Sequence, residues 1–218
     1  MAAIIALGNR KGGTGKTTSS VNIADGLARM GKRVLLVDTD SQAQATTSCG
    51  MLPQQSASSL YELLHLEAQG RERSREIKQT VQSVKRFDLL PSRPDLSAFE
   101  MEAARYEGRE GFLRNLLIEL DGEYDYIIID MPPSLGLITI SGLVAANHLI
   151  IPIEPTFLSM DGLAQMMSIL YRINSELNPT LRLMGILVVK SDLRTNLARS
   201  VVQEIINNFG IERLLPLI

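Results

Sequence analysis

The runs RVLLVD (33–38), YDYIIID (124–130), HLIIPI (148–153) and LRLMGILVV (181–189) are apolar at consecutive rather than alternate positions. A strand of that kind must be covered on both faces. Because stretches of helical periodicity separate the runs, the arrangement that covers them is a mostly parallel, twisted sheet with helices on both faces, an α/β fold. The pattern predicts strands at 2–7, 33–38, 87–92, 124–130, 148–153 and 181–189. It predicts helices at about 16–30, 59–67, 72–84, 95–120 (broken near Gly108 and Gly111), 136–146, 159–175 and 195–208. Val21, Ile23, Ala24, Leu27 and Ala28 form the inner stripe of the first helix. The Ser-, Thr- and Gln-rich stretch 41–59 reads as the longest irregular connection, and long loops beside a ligand site are often functional.

With 218 residues, 45% of them hydrophobic, the chain is long enough for one sizeable core, and a single domain over 1–218 is expected. No stretch approaches the apolar length needed to span a bilayer, and MAAIIALGNRKGG lacks the basic start and cleavage site of a signal peptide. A soluble, cytoplasmic protein without a membrane partner is the expectation. The one cysteine, Cys49, excludes an internal disulfide and cannot supply the thiolates of an iron–sulfur cluster or structural zinc site. The formal net charge of −2 means that any nucleic-acid binding must come from a local patch. Residues 71–86 carry six basic against two acidic side chains, a run that reads first as a solvated helix face, and Lys190, Arg194 and Arg199 form a second candidate.

GNRKGGTGKTTSS (8–20) follows the first strand and opens the first helix, where a phosphate site has to be. The usual phosphate loop, G-x-x-x-x-G-K-[ST], would put a glycine at position 10; Arg10 stands there instead, followed by a second lysine, Lys11. Gly12, Gly13 and Gly15, with Thr14 between them, let backbone N–H groups face an anion, and the helix N-terminus adds partial positive charge. Lys16 would reach the β- and γ-phosphates and the Thr17 hydroxyl would ligate Mg²⁺. Asp38, Asp40 and Asp130 lie at the C-terminal ends of two predicted strands, where ligands collect in open α/β sheets.

KGGTGKTT (11–18), VLLVDTDSQAQAT (34–46), YDYIIIDMPPSLG (124–136) and IPIEPTFLSMDGLAQM (151–166), with PSRPDLSAFE (91–100) and DLRTNLA (192–198), resemble the deviant-Walker P-loop ATPases of the ParA/MinD type. The resemblance is closest to the short chromosome- and plasmid-partition ParA proteins and runs collinearly from about residue 3 to residue 215. It implies an ATPase with ATP and Mg²⁺ as cofactors, a homodimer in the ATP state, nonspecific DNA binding, nucleoid association, and slow hydrolysis stimulated by a ParB-like partner protein. Lys11 would be the signature lysine that crosses a sandwich dimer to the other subunit's phosphates. Asp40 would orient the attacking water, Asp38 and Asp130 would hold the Mg²⁺ shell, and Thr17 and Thr18 would supply the metal and phosphate hydroxyls. Pro152 and Pro155 would lie near the base and the dimer seam, and Arg194 would contact DNA, helped by Lys190 and Arg199. VVKSD (188–192) is similar to a base-reading K-x-D, or is a strand end with a capping Asp. The ending IERLLPLI is short relative to the family, and Ser41-Gln42 replaces the common Pro-Gln. A MinD-like regulator, another cargo-positioning ATPase and an ATP-dependent amide ligase of the same fold are the alternatives.

Overall fold

The computed structural model describes residues 2–156 and 159–216. Phe157 and Leu158, part of the FLSMDGLAQM match, and the final Leu217 and Ile218 lie outside the described residues. The first half of the chain forms β1 (Ala3–Leu7), α1 (Lys16–Arg29), β2 (Val34–Asp38), α2 (Gln44–Ser48), α3 (Leu60–Ala68), α4 (Ser74–Thr80), β3 (Gln82–Val84) and β4 (Phe87–Leu90). The second half adds α5 (Leu96–Glu102), α6 (Phe112–Ile118), β5 (Tyr126–Asp130), α7 (Leu137–Ala145), β6 (His148–Ile153), α8 (Ser159–Glu176), β7 (Arg182–Val188) and α9 (Asn196–Phe209). The seven-stranded sheet has the order β3-β4-β2-β5-β1-β6-β7 and is parallel except for β3.

All five residues of β2 are buried, which the alternation of side chains explains. Val34 and Leu36 enter the layer under α1 and α2; Leu35 and Val37 enter the larger layer built from α3 to α9. β1 and β5 divide in the same way, Ile5, Leu7 and Ile128 against Ala6, Ile127 and Ile129. Their registers set Leu7 beside Asp130 and Asp130 beside Asp38, so the ends of the three central strands form one edge. The site lies on that edge.

Three local expectations are corrected. The helix predicted over 72–84 stops at Thr80, and Gln82–Val84 pairs antiparallel with β4 through a turn in which Lys85 takes φ 37°. Short local periodicity cannot register that β4 still offers an unpaired edge. The stretch 41–59 holds α2 and a 3₁₀ turn at Pro53–Gln55, because Asp38 fastens α2 from another element. The 95–120 region divides into α5, 3₁₀ turns at 103–105 and 109–111, and α6, with Gly108 at φ 68° making the break. The basic run 71–86 is partly neutralised: Arg73 bridges Glu67 and Glu119 at 2.6 and 2.9 Å, Lys78 meets Glu123 at 3.1 Å, and Arg86 meets Asp25 at 3.1 Å.

Candidate functional site

The loop between β1 and α1 is pinned at its entry by Asn9, which is buried and donates from Nδ2 to the Pro152 carbonyl at 2.7 Å. The Asn9 Oδ1 accepts from the Lys11 N–H at 3.0 Å, which starts the turn. Gly13 and Gly15 both take φ 74°, the left-handed region that a β-carbon disfavours, whereas Arg10 keeps an ordinary negative φ. Position 10 therefore has no need of glycine, and the Arg10 side chain leaves the loop to donate to Gln165 at 2.7 Å. Thr14, 1% exposed, donates from its hydroxyl to the Lys11 carbonyl at 3.2 Å.

Lys16 and Lys11 have opposite surroundings. Lys16 is buried, its Nζ donates to the Lys11 carbonyl at 3.3 Å, and burial lowers its pKa against the pull of Asp130 and Asp40. Lys11 is exposed and its Nζ donates outward to the Thr156 hydroxyl at 3.3 Å.

The three aspartates differ as well. Asp130 is 1% exposed; its Oδ1 accepts from the Ser20 hydroxyl at 2.8 Å, and its Oδ2 is buried without a hydrogen-bond partner. Burial pushes its pKa up to about 6, although the Thr17 and Ser20 hydroxyls and Lys16 act the other way. The Thr17 hydroxyl thus faces the carboxylate without completing a hydrogen bond to Oδ2. Asp38 is fully buried and pushed up to about 7, mainly by desolvation. It accepts from the Thr46 N–H and hydroxyl at 2.8 and 2.7 Å and from the Asp40 N–H at 3.1 Å. Asp40 is half-buried at the rim, accepting from the Gln42 N–H at 2.9 Å.

A cleft of about 500 Å³ is lined by Gly12, Gly13, Gly15, Lys16, Thr17, Thr18 and Asp40 on one side and by Pro132, Pro133, Ser134 and Lys190 on the others. Among the described residues no group of three His, Cys, Asp or Glu could hold a metal ion. One buried carboxylate oxygen lacking a partner, beside a hydroxyl and a loop of N–H donors, fits Mg²⁺ nonetheless, because that ion takes few protein ligands and keeps phosphate oxygens and waters.

Pro152 and Pro155 do not line this cleft: Pro152 is buried within β6, where its carbonyl anchors Asn9, and Pro155 is half-buried in the loop that follows. Lys190 lies at the cleft mouth. Arg194 is exposed yet forked onto Asp192 at 2.7 and 2.8 Å, and Arg199 donates to Asn196. The same fork engages Asp192, the aspartate of VVKSD. Cys49 is half-buried with its thiol pushed up to about 11, so little thiolate forms and it remains a packing residue.

Sequence reasoning missed Asn9, Ser20, Thr39 and Thr46. Thr39 donates from N–H and hydroxyl to the Asp130 carbonyl at 3.0 and 2.7 Å, joining the ends of β2 and β5. Ser20 had a readable signal, since it follows Lys16 by four residues and shares its helix face. The others act through contacts across the sheet and carry no local mark.

A mostly parallel sheet whose first strand leads into a left-handed glycine loop with a buried lysine, beside buried aspartates at the ends of the next two strands, defines a P-loop nucleotide-hydrolysing protein. Residues 2–183 match the family AAA_31, an AAA domain. The chain is 38% identical over 204 residues to the chromosome partitioning protein ParA of Myxococcus xanthus, covering 93% of this chain and 70% of that one. It is 39% identical over 205 residues to the sporulation initiation inhibitor protein Soj of Bacillus subtilis, covering 94% and 79%. Among solved structures it is similar to cobyrinic acid a,c-diamide synthase from Mycobacterium smegmatis with bound ADP and magnesium (TM-score 0.90, 34% identity, 100% and 86% covered). It is also similar to a plasmid partition protein from Borrelia burgdorferi (TM-score 0.82, 26% identity, 100% and 89% covered). The chain belongs to the ParA/MinD-type P-loop ATPases, which use ATP with Mg²⁺. Among its described residues no helix is long and apolar enough to cross a membrane.

Proposed function

We propose that the protein is a partition ATPase that dimerises with ATP, holds DNA without regard to sequence in that state, and hydrolyses slowly until a cargo-bound, ParB-like partner stimulates it. The observation that carries this reading is Lys11, exposed at the loop, outside the lining of its own cleft and directed to Thr156. An ammonium so placed is available to the phosphates of a facing copy. A cation supplied by a partner to a phosphoryl transition state is worth about 10³–10⁵ in rate, by analogy with arginine fingers.

Within a subunit, Lys16 grips the β- and γ-phosphates while the backbone from Gly12 to Thr18 supplies N–H donors. Asp40, at the rim of the cleft, orients the attacking water. Thr17 and Asp130 would hold Mg²⁺, and Asp38 supports them by fixing Thr46 and the Asp40 N–H. Bound there, the ion would neutralise charge on the phosphate oxygens. Asp130→Asn should therefore raise the thermal midpoint of the nucleotide-free protein, by the equivalent of about 1–2 kcal/mol, because it removes a desolvated charge. The same change should abolish the further rise that Mg²⁺ and ATP produce. A lower nucleotide-free midpoint would show that the fold stabilises the charge by itself.

Arg194 and Arg199, at the start of α9, are the candidate DNA contacts, doubled by the two-fold axis of a dimer. The test is retention of random-sequence DNA with ATP, with ADP and with neither, across a salt series. Retention should require ATP, and log K should fall with log salt at about −0.9 per phosphate neutralised. Retention indifferent to nucleotide, or none in any state, would overturn the reading. Similarity to a protein named as a diamide synthase favours a second reading, ATP-dependent amide formation. In that case ATP turnover would depend on an added carboxylic acid and an amine donor, with DNA making no difference.

A further inference from the structure

The end of β7 is fitted against the phosphate loop at its two left-handed glycines. A β-carbon on Gly15 would sit 3.4 Å from the Val189 Cγ2 atom, and the next residue, Lys190, donates from Nζ to the Gly13 carbonyl at 3.0 Å. The same ammonium lies 3.8 Å from Glu154 Oε2. Lys190 itself takes φ 53°, a conformation that costs a residue with a β-carbon about 1 kcal/mol and marks a position over-determined by its surroundings. Because the peptide unit is planar and trans, holding the Gly13 carbonyl fixes the orientation of the Thr14 N–H, one of the donors that the loop offers an anion.

We infer that Lys190 is a positioning residue of the nucleotide site: it sets the Gly13–Thr14 peptide for the phosphates and adds a second ammonium, besides that of Lys16, where a nucleoside di- or triphosphate enters. The inference rests on the nucleotide reading of the cleft, not on the partition reading. Glu154 holds the ammonium near the mouth, and the long side chain can turn between carbonyl and phosphate without movement of β7.

The test compares Lys190→Ala, Lys190→Gly and Lys190→Arg by fluorescence titration with ATP and ADP, alongside steady-state kinetics. The alanine and glycine variants should bind both nucleotides about tenfold more weakly, with KM rising more than kcat falls, and arginine should recover affinity to within about threefold. Glycine separates the two properties of the position, because it relieves the left-handed backbone and still lacks the ammonium. Wild-type affinity in Lys190→Ala, or in Lys190→Gly, would overturn the inference, as would an arginine variant no better than alanine. Loss of DNA retention at unchanged nucleotide affinity would return Lys190 to the DNA surface. Failure of the unaltered chain to bind ATP would be a separate result, removing the nucleotide site and this inference together.

Discussion

Lys11→Ala is expected to bind ATP about as tightly as the unaltered chain and to hydrolyse it about 10³-fold more slowly under partner stimulation. The asymmetry follows from which atoms of Lys11 are used. Its carbonyl accepts from Lys16 and Thr14 and so helps to shape the loop, and alanine keeps that carbonyl. Its ammonium reaches to the half-buried Thr156 hydroxyl and lies outside the lining of its own cleft. Removing it leaves ground-state binding in place and takes away a charge felt only when a second subunit faces the phosphates. Equilibrium nucleotide titration and single-turnover hydrolysis separate the two quantities. Normal hydrolysis would reject the sandwich dimer, and lost binding would mean that Lys11 serves its own site.

Lys16→Ala should weaken ATP binding roughly 100-fold or more, the scale expected when a charge-assisted contact to phosphate is lost from a partly desolvated site. Lys16 also favours the charged form of Asp130, whose Oδ2 has no hydrogen-bond partner. The substitution therefore leaves a buried carboxylate less well balanced, and the nucleotide-free protein should unfold at a lower temperature. Asp130→Asn in the same chain should recover most of that loss without restoring nucleotide binding, because the two charges are coupled. The double variant is measured by thermal unfolding with and without Mg²⁺ and ATP. An affinity within threefold of the unaltered chain for Lys16→Ala would place the phosphates elsewhere.

Glycine spacing, Lys16 and the strand-end aspartates were legible because each is a local pattern with a local cause: a left-handed turn, a helix N-terminus, a residue leaving a strand. Thr46 was not legible, since nothing nearby in the chain distinguishes it from Thr47; only the return of α2 to the end of β2 brings it to Asp38. The contact of Lys190 with the phosphate loop was not legible for a related reason. In the sequence Lys190 stands near Arg194 and Arg199, and only the structure shows it with φ 53° and its ammonium on the Gly13 carbonyl, 177 residues earlier in the chain. Likewise, three aspartates close to strand ends looked equivalent, and burial distinguishes them. Asp38 is used to fasten a helix, Asp130 has an oxygen to spare, and Asp40 stays at the rim.

The sequence by itself determined the sheet and its two covered faces, the place of the phosphate loop and the membership of the ATPase family, because periodicity and glycine conformation act over a few residues. The tertiary structure alone decided which charges face the cleft. Whether a carboxylate or an ammonium is free depends on partners from distant segments, such as Thr46 for Asp38, Ser20 for Asp130 and Gly13 for Lys190, and on how far those partners exclude water.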